Sequence, residues 1–257
     1  MEIFLLAGEF KSYLFLTINH ETMENSSIIQ IDWLTKRFIM GKGIFTALRE
    51  ISLKFGPGEF AGLVGPSGSG KTTLLNIMGS LDTPSEGTVT VLGKSVAALN
   101  QNESAALRNR HIGFIFQTFN LLPVYNVYDN VEFALLLQKM PASQRRRAVM
   151  EALEWVGLTD KADSKPAMLS GGESQRVSIA RSMVKKPEIV LADEPTANLD
   201  AHNSHHILQT MKKLNEELGT TFIFATHDEK VMQYLKRMIS LRDGKVEKDE
   251  LVETVNT

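Results

Sequence analysis

Eight residues constrain this chain more than any others: Gly65-Pro66-Ser67-Gly68-Ser69-Gly70-Lys71-Thr72. They fit the pattern G-x-x-x-x-G-K-[ST] and sit between the apolar run Phe60-Ala61-Gly62-Leu63-Val64 and a helical stretch through Met78. Glycines let the backbone wrap closely around a phosphate chain without Cβ clashes. Successive N–H groups form an anion nest, and the following helix N-terminus adds partial positive charge. Lys71 supplies a point charge to the β- and γ-phosphates, the Thr72 hydroxyl is a candidate Mg²⁺ ligand, and Thr73 joins residues 65–72 as a candidate nucleotide-binding residue. A loop of this kind needs a buried strand before it and a helix after it.

The rest of the chain supplies more such units. Strands are expected at residues 28–31, 48–55, 88–92, 111–116, 189–192 and 221–225, and helices at 202–218 and 229–235, after which residues 238–241 lead into a turn. The turns GPGE (56–59), TPSEG (83–87) and RDGK (242–245) punctuate them. Strands alternating with helices predict an α/β fold with a largely parallel sheet. Residues 119–165 differ, being rich in Leu, Gln, Ala and Arg, with helical spacing at Val131, Ala134, Leu135 and Gln138, and are read as a helical insertion. The run Gln144-Arg145-Arg146-Arg147 inside it is read as a solvated helix face. Residues 1–27 follow no sustained period and are read as a frayed extension; a start at Met23, or a membrane-surface anchor built on Phe4, Leu5, Leu6, Tyr13, Leu14, Phe15 and Leu16, are the alternatives. Residues 246–257 are expected to be a polar, loosely held tail.

Composition narrows the function classes. With 43% hydrophobic and 23% charged residues, the 257-residue chain has enough apolar surface to fold, which excludes a mostly disordered protein. A net charge of −2 offers no electrostatic case for nucleic acid. The absence of cysteine excludes disulfides, thiolate metal sites and cysteine nucleophiles. No apolar stretch reaches the length of a membrane helix, and the opening MEIFLLAG lacks the basic region of a secretory signal, so a cytoplasmic location is expected.

Two further motifs carry chemistry. Ile189-Val190-Leu191-Ala192-Asp193-Glu194 predicts an interior strand that delivers two carboxylates at its C-terminal end, where open α/β sheets bind ligands. Asp193 is placed to hold Mg²⁺, directly or through water, and Glu194 to polarise a water for in-line attack on the γ-phosphate. Leu169-Ser170-Gly171-Gly172-Glu173-Ser174-Gln175-Arg176 sets Ser and two Gly before a helix expected to reach about residue 185, a second anion-binding helix N-terminus. One chain therefore carries two phosphate-binding surfaces, and a single nucleotide held within one subunit has no evident use for both.

With these motifs in this order, the sequence resembles the ATP-binding subunits of ABC transporters over about residues 28–245. LSGGE is that family's signature. Gln117, after GFIF, matches its Q-loop; Ala197-Asn198-Leu199-Asp200 its D-loop; Thr226-His227-Asp228, after FIFA, its switch histidine. Phe38 in TKRF occupies the place of the aromatic that stacks on adenine. The resemblance implies a P-loop NTPase (RecA-like) parallel-sheet core, an antiparallel β subdomain and a helical subdomain at about 118–170. It implies a head-to-tail homodimer, each ATP lying between the phosphate loop of one subunit and Ser170-Gly171-Gly172 of the other. Lys71, Glu194 and His227 are then catalytic, Glu194 as general base or water-orienting group and His227 as γ-phosphate sensor. Thr72, Gln117 and Asp193 would hold Mg²⁺, Gln117 would link it to the helical subdomain, and Asp200 would reach across the dimer. The signature has Glu173-Ser174 where Gln-Gln is common, and Phe38 stands where Tyr is usual. Neither departure removes a phosphate or metal ligand, so the resemblance implies an active ATPase.

Phe116-Gln117-Thr118-Phe119-Asn120-Leu121-Leu122-Pro123 and Asn130-Val131-Glu132 resemble subunits that serve MacB-type membrane partners, a group including LolD-like lipoprotein-releasing subunits, macrolide and peptide exporters, and FtsE. This implies a subunit on the inner face of the cell membrane, driving export or lipoprotein release. The alternative is an FtsX-like partner that transports nothing and acts in cell division or envelope signalling. A soluble ABC protein of translation or repair would need tandem domains or a long coiled coil, neither of which is present. Leu121, Leu122 and Tyr125 are the candidate permease contacts, or else core residues of the helical subdomain.

Overall fold

The computed structural model describes residues 27–41 and 43–252, so the expectations for residues 1–26 and 253–257 lie outside the described residues. A six-stranded sheet has the order β10-β9-β3-β8-β7-β6, formed by β3 (Phe60–Val64), β6 (Ile112–Ile115), β7 (Ile189–Asp193), β8 (Thr221–Thr226), β9 (Arg237–Arg242) and β10 (Lys245–Leu251). All its pairings are parallel except β9 with β10. Every residue of β3 and β8 is buried, which is why they read as unbroken apolar runs rather than alternating ones. The period of two instead divides them between two cores. Phe60, Val190, Ala192, Phe222 and Phe224 face one, packed with the helices. Ala61, Leu63, Ile189, Leu191, Ile223 and Ala225 face the other.

That second core also takes residues from an antiparallel sheet of order β2-β1-β4-β5, from β1 (Ile29–Met40), β2 (Gly43–Phe55), β4 (Glu86–Val91) and β5 (Lys94–Ser95). In β2, Leu48, Ile51, Leu53 and Phe55 are all buried although 48 and 51 break the period of two. The break is a bulge: the register with β1 shifts between Leu34 and Lys36, and Glu50 takes φ 52. The helices are α1 (Lys71–Met78), α2 (Gln101–His111), α3 (Val127–Leu137), α4 (Ala142–Trp155), α5 (Gly171–Met183), α6 (Ala201–Leu218) and α7 (Glu229–Met232). Helices α3 and α4 lie within residues 119–165. Val131 and Leu135 are buried there, and Arg145 pairs with Glu132 at 2.8 Å while Arg146 and Arg147 are exposed.

Three features depart from the sequence expectations. Strands β1 and β2 extend well beyond residues 28–31 and 48–55, because their outer halves pair with each other rather than bury a face. Helix α2 was not expected. It buries only Leu107, too little for a periodic signal, and is marked instead by the reciprocal Asn100–Glu103 capping box. The boundary at 245 and the loosely held tail are corrected for residues 246–251, which form the edge strand β10. Polar side chains suit an edge exposed on both faces. Arg237 of β9 grips Asp249 with two bonds of 2.8 and 2.7 Å and Glu59 with a third of 2.8 Å.

Candidate active site

The turn between β3 and α1 is built as the sequence requires. Gly70 caps α1 at φ 105, a region open to glycine, and a Cβ there would lie 2.8 Å from the Ala47 carbonyl oxygen. Lys71 is buried, and its ammonium donates to the carbonyls of Gly65 and Pro66 at 2.7 and 2.9 Å. Burial lowers its pKa, opposed by the nearby carboxylates of Glu194 and Asp193. Ser69 is buried, its hydroxyl without a hydrogen-bond partner among the described residues.

Strand β7 brings its acids to the same mouth. Asp193 Oδ1 accepts from the Thr72 hydroxyl at 3.1 Å. Burial raises the Asp193 pKa and Glu194 adds to the rise; the Thr72 hydrogen bond and Lys71 oppose it. Glu194 has φ 46, a left-handed backbone held by its N–H to the Ala225 carbonyl at 2.9 Å. Its Oε1 lies 2.6 Å from His227 Nδ1, and its Oε2 accepts from the Thr226 hydroxyl at 3.1 Å. The carboxylate side chain is largely covered, whereas His227 is 63% exposed.

One cleft of about 370 Å³ gathers Ser67, Gly68, Gly70, Lys71, Thr72, Thr73, Gln117, Asp193, Glu194 and His227, with Phe45 and Ala47. Phe45 was not anticipated. It is the cross-strand partner of Phe38, but Phe45 lines the cleft whereas Phe38 does not. The two therefore share one face of the β1–β2 ribbon. Only the TKRF motif drew attention to Phe38; Phe45 becomes visible once the hairpin register is known. Gln117 is tied to the D-loop segment, its carbonyl accepting from Asn198 Nδ2 at 2.9 Å.

Ser170, Gly171, Gly172 and Asp200 do not line this cleft. Ser170 caps α5, its hydroxyl accepting from the Glu173 N–H at 3.2 Å while Glu173 Oε2 accepts from the Ser170 N–H at 2.8 Å. Gly172 is buried, and a Cβ there would meet the Asn203 side chain at 2.4 Å. Gly171 is exposed, and a Cβ there would find nothing closer than 3.6 Å. Asp200 caps α6 through the Asn203 N–H at 2.8 Å, and that bond holds its pKa down. Buried Gln175 of α5 donates to the Pro195 carbonyl at 2.5 Å, joining the signature helix to the residue after Glu194, a link the motif alone did not reveal.

The candidate permease contacts separate. Leu121 packs against the helical core, Tyr125 is exposed beside Phe133, and Leu122 lines an apolar groove of about 500 Å³. Among the described residues no helix is long and apolar enough to cross a membrane.

The oxygen donors at the cleft fit Mg²⁺. Thr72 and Asp193 already touch, and hydroxyl, carboxylate and amide oxygens are hard ligands. Among the described residues no three His, Cys, Asp or Glu side chains gather into a metal cluster. That is no obstacle for an ion that takes most of its ligands from phosphates and water.

Residues 48–197 match the ABC transporter family. The chain is 43% identical over 227 residues to the uncharacterized ABC transporter ATP-binding protein MJ0796 of Methanocaldococcus jannaschii, covering 87% of this chain and 97% of that protein. The dimeric structure of MJ0796 in a post-hydrolysis state, bound to ADP and Pi, superposes with a TM-score of 0.81, at 41% identity over 88% of this chain and 99% of that one. The lipoprotein-releasing system ATP-binding protein LolD of Bacteroides thetaiotaomicron is 41% identical over 222 residues, 86% of this chain and 100% of LolD. The macrolide export ATP-binding/permease protein MacB of Bdellovibrio bacteriovorus is 42% identical over 228 residues, 89% of this chain but 35% of MacB. The chain belongs to the ABC transporter family, as one of its ATP-binding, ATP-hydrolysing subunits.

Proposed function

We propose that two copies of this chain close head to tail on ATP and drive a MacB-type permease in export or lipoprotein release, from the inner face of the cell membrane. The observation that carries the dimer is the separation of two phosphate-binding surfaces. The phosphate loop lines the cleft, and the Ser170-Gly171-Gly172 turn does not. Gly172 is explained by the chain's own packing. Gly171 is not, since its Cβ position is uncrowded and it lies on the surface. A glycine there suits close approach by a group from outside the chain, the nucleotide held by the other copy. The MJ0796 dimer with ADP and Pi supports this arrangement. The MacB-type partner draws support from the similarity to LolD and MacB.

In this reading Lys71 leaves the loop carbonyls for the β- and γ-phosphates, and Phe38 with Phe45 takes the adenine face. Thr72, Asp193 and Gln117 hold Mg²⁺, which neutralises phosphate charge when bound. Glu194 accepts the proton of the attacking water, and Thr226 fixes its carboxylate. His227, already against Glu194, senses the γ-phosphate. Closure completes the set, so hydrolysis requires assembly.

The test uses the natural absence of cysteine. Ser67→Cys and Ser170→Cys are made separately, mixed with ATP in a Glu194→Gln background, and treated with a short bismaleimide. The expected product is a heterodimer of 67 with 170. Cross-linking only within like variants, or none with ATP bound, refutes the arrangement.

A further inference from the structure

The backbone at Glu194 is held in a shape that side chains disfavour. A φ of 46 in a residue other than glycine persists only where the surroundings fix it. Two anchors are backbone bonds. The Glu194 N–H donates to the Ala225 carbonyl at 2.9 Å, and the Glu194 carbonyl accepts from the Ala197 N–H at 3.2 Å. The next residue, Pro195, is buried and has no N–H, so the carbonyl is its one backbone polar group. That carbonyl accepts from Gln175 Nε2 at 2.5 Å.

Gln175 lies in the second turn of α5 and is fully buried, as are Val177, Ile179 and Ala180 on the same helix. Its Oε1 has no hydrogen-bond partner among the described residues. Leaving a buried amide oxygen unpaired costs about 1–3 kcal/mol. An apolar side chain of the same length would shed that cost and strip Pro195 of its donor. What the amide supplies is therefore the Pro195 bond. Both ends of this bond are stiff, one on a helix and the other on a residue whose φ is fixed by its ring. The Glu194 carboxylate is held separately, by Thr226 and His227 at the end of β8. Helix α5 thus sets the backbone of this residue and β8 its side chain.

We infer that Gln175 is a positioning residue for Glu194: by holding the Pro195 carbonyl it fixes the left-handed turn that keeps the Glu194 carboxylate in the cleft. The inference rests on Glu194 accepting the proton of the attacking water and adds the residue that sets its place. A reacting group displaced by about 1 Å can lose about 100-fold in rate, so one bond next to the strained residue is enough to matter.

The experiment measures single-turnover ATP hydrolysis, ATP affinity and thermal unfolding in the full chain. Gln175→Met keeps the length and loses the donor. It should slow hydrolysis about 10–100-fold while ATP affinity stays within about threefold. Gln175→Glu is close in shape, but its carboxyl donates to the Pro195 carbonyl only when protonated, the form that burial favours. Its rate relative to the native chain should climb at least about tenfold as the pH falls from about 9 to about 6, over the range where the variant is folded. The double variant Gln175→Met with Glu194→Gln should hydrolyse within about threefold of Glu194→Gln alone, because Gln175 acts through a carboxylate already removed. A folded Gln175→Met with a native rate, a flat relative pH profile for Gln175→Glu, or full additivity in the double variant overturns the inference. Should Gln175→Met fold poorly, the pH profile of Gln175→Glu decides. Glu194→Gln turning over near the native rate would instead remove the reading of Glu194 on which the inference rests.

Discussion

Replacing Glu194 with Gln separates chemistry from structure at this site. The side chain keeps its shape and loses only its charge and basicity. Its two contacts survive in kind: a Gln carbonyl can accept from the Thr226 hydroxyl, now 3.1 Å from Oε2, and the amide can donate to an unprotonated His227 Nδ1, now 2.6 Å from Oε1. The N–H to the Ala225 carbonyl that holds φ at 46 is backbone and unaffected. The cost to folding is therefore within about 1 kcal/mol, the value of one altered hydrogen bond. The proton acceptor, however, is gone. A positioned general base contributes about 10²–10⁴-fold, or about 3–5 kcal/mol of barrier. ATP affinity should hold or improve, because one negative charge leaves the pocket that receives the γ-phosphate. The assay is phosphate release at saturating ATP, with nucleotide binding and thermal unfolding measured on the same sample. A folded, ATP-binding variant that turns over within about threefold of the native chain would remove Glu194 from the proton-transfer role. A loss confined to KM would make it a binding residue.

Other expectations follow from the same geometry. Lys71→Ala should weaken ATP binding by about 100-fold or more, as expected for loss of a buried charge partner; calorimetric titration showing near-native affinity would contradict the phosphate-loop assignment. Phe45→Ala should weaken ATP binding about tenfold while leaving inorganic triphosphate binding nearly unchanged, since base stacking on an aromatic is worth about 1–3 kcal/mol. Unchanged ATP affinity would leave adenine to Phe38 alone. Lys185 gives a pH signature. Its folded pKa of about 8 lies below that of an ordinary lysine, 10.5, so between these values the unfolded chain binds more protons and stability rises with pH. Lys185→Met should abolish that rise, on the order of 2 kcal/mol after solvent screening, in denaturant titrations at pH 7.5 and 10. Identical pH slopes for the two proteins would show that the ammonium is not destabilised by burial.

The order of motifs along the chain already carried the family, the parallel sheet and nearly all of the residues that line the candidate cleft. Buried parallel strands must be apolar on both faces, and a phosphate loop must have glycines, so residues 60–64, 189–192 and 65–72 were legible locally. What stayed hidden was what a residue meets far along the chain. Thr72 meets Asp193, Asn198 meets Gln117 and Gln175 meets Pro195 only because the strand order sets their elements side by side. Phe45 reaches the cleft through hairpin register, and β10 exists through backbone pairing that polar side chains do not advertise. Even Arg108, Arg181 and Lys185, the three cations of the apolar groove, are ordinary surface residues in sequence. Only the packing of α2, β6 and α5 brings them to one wall without an acid among the described residues, because desolvation and charge pairing depend on distance in space, which local pattern does not encode.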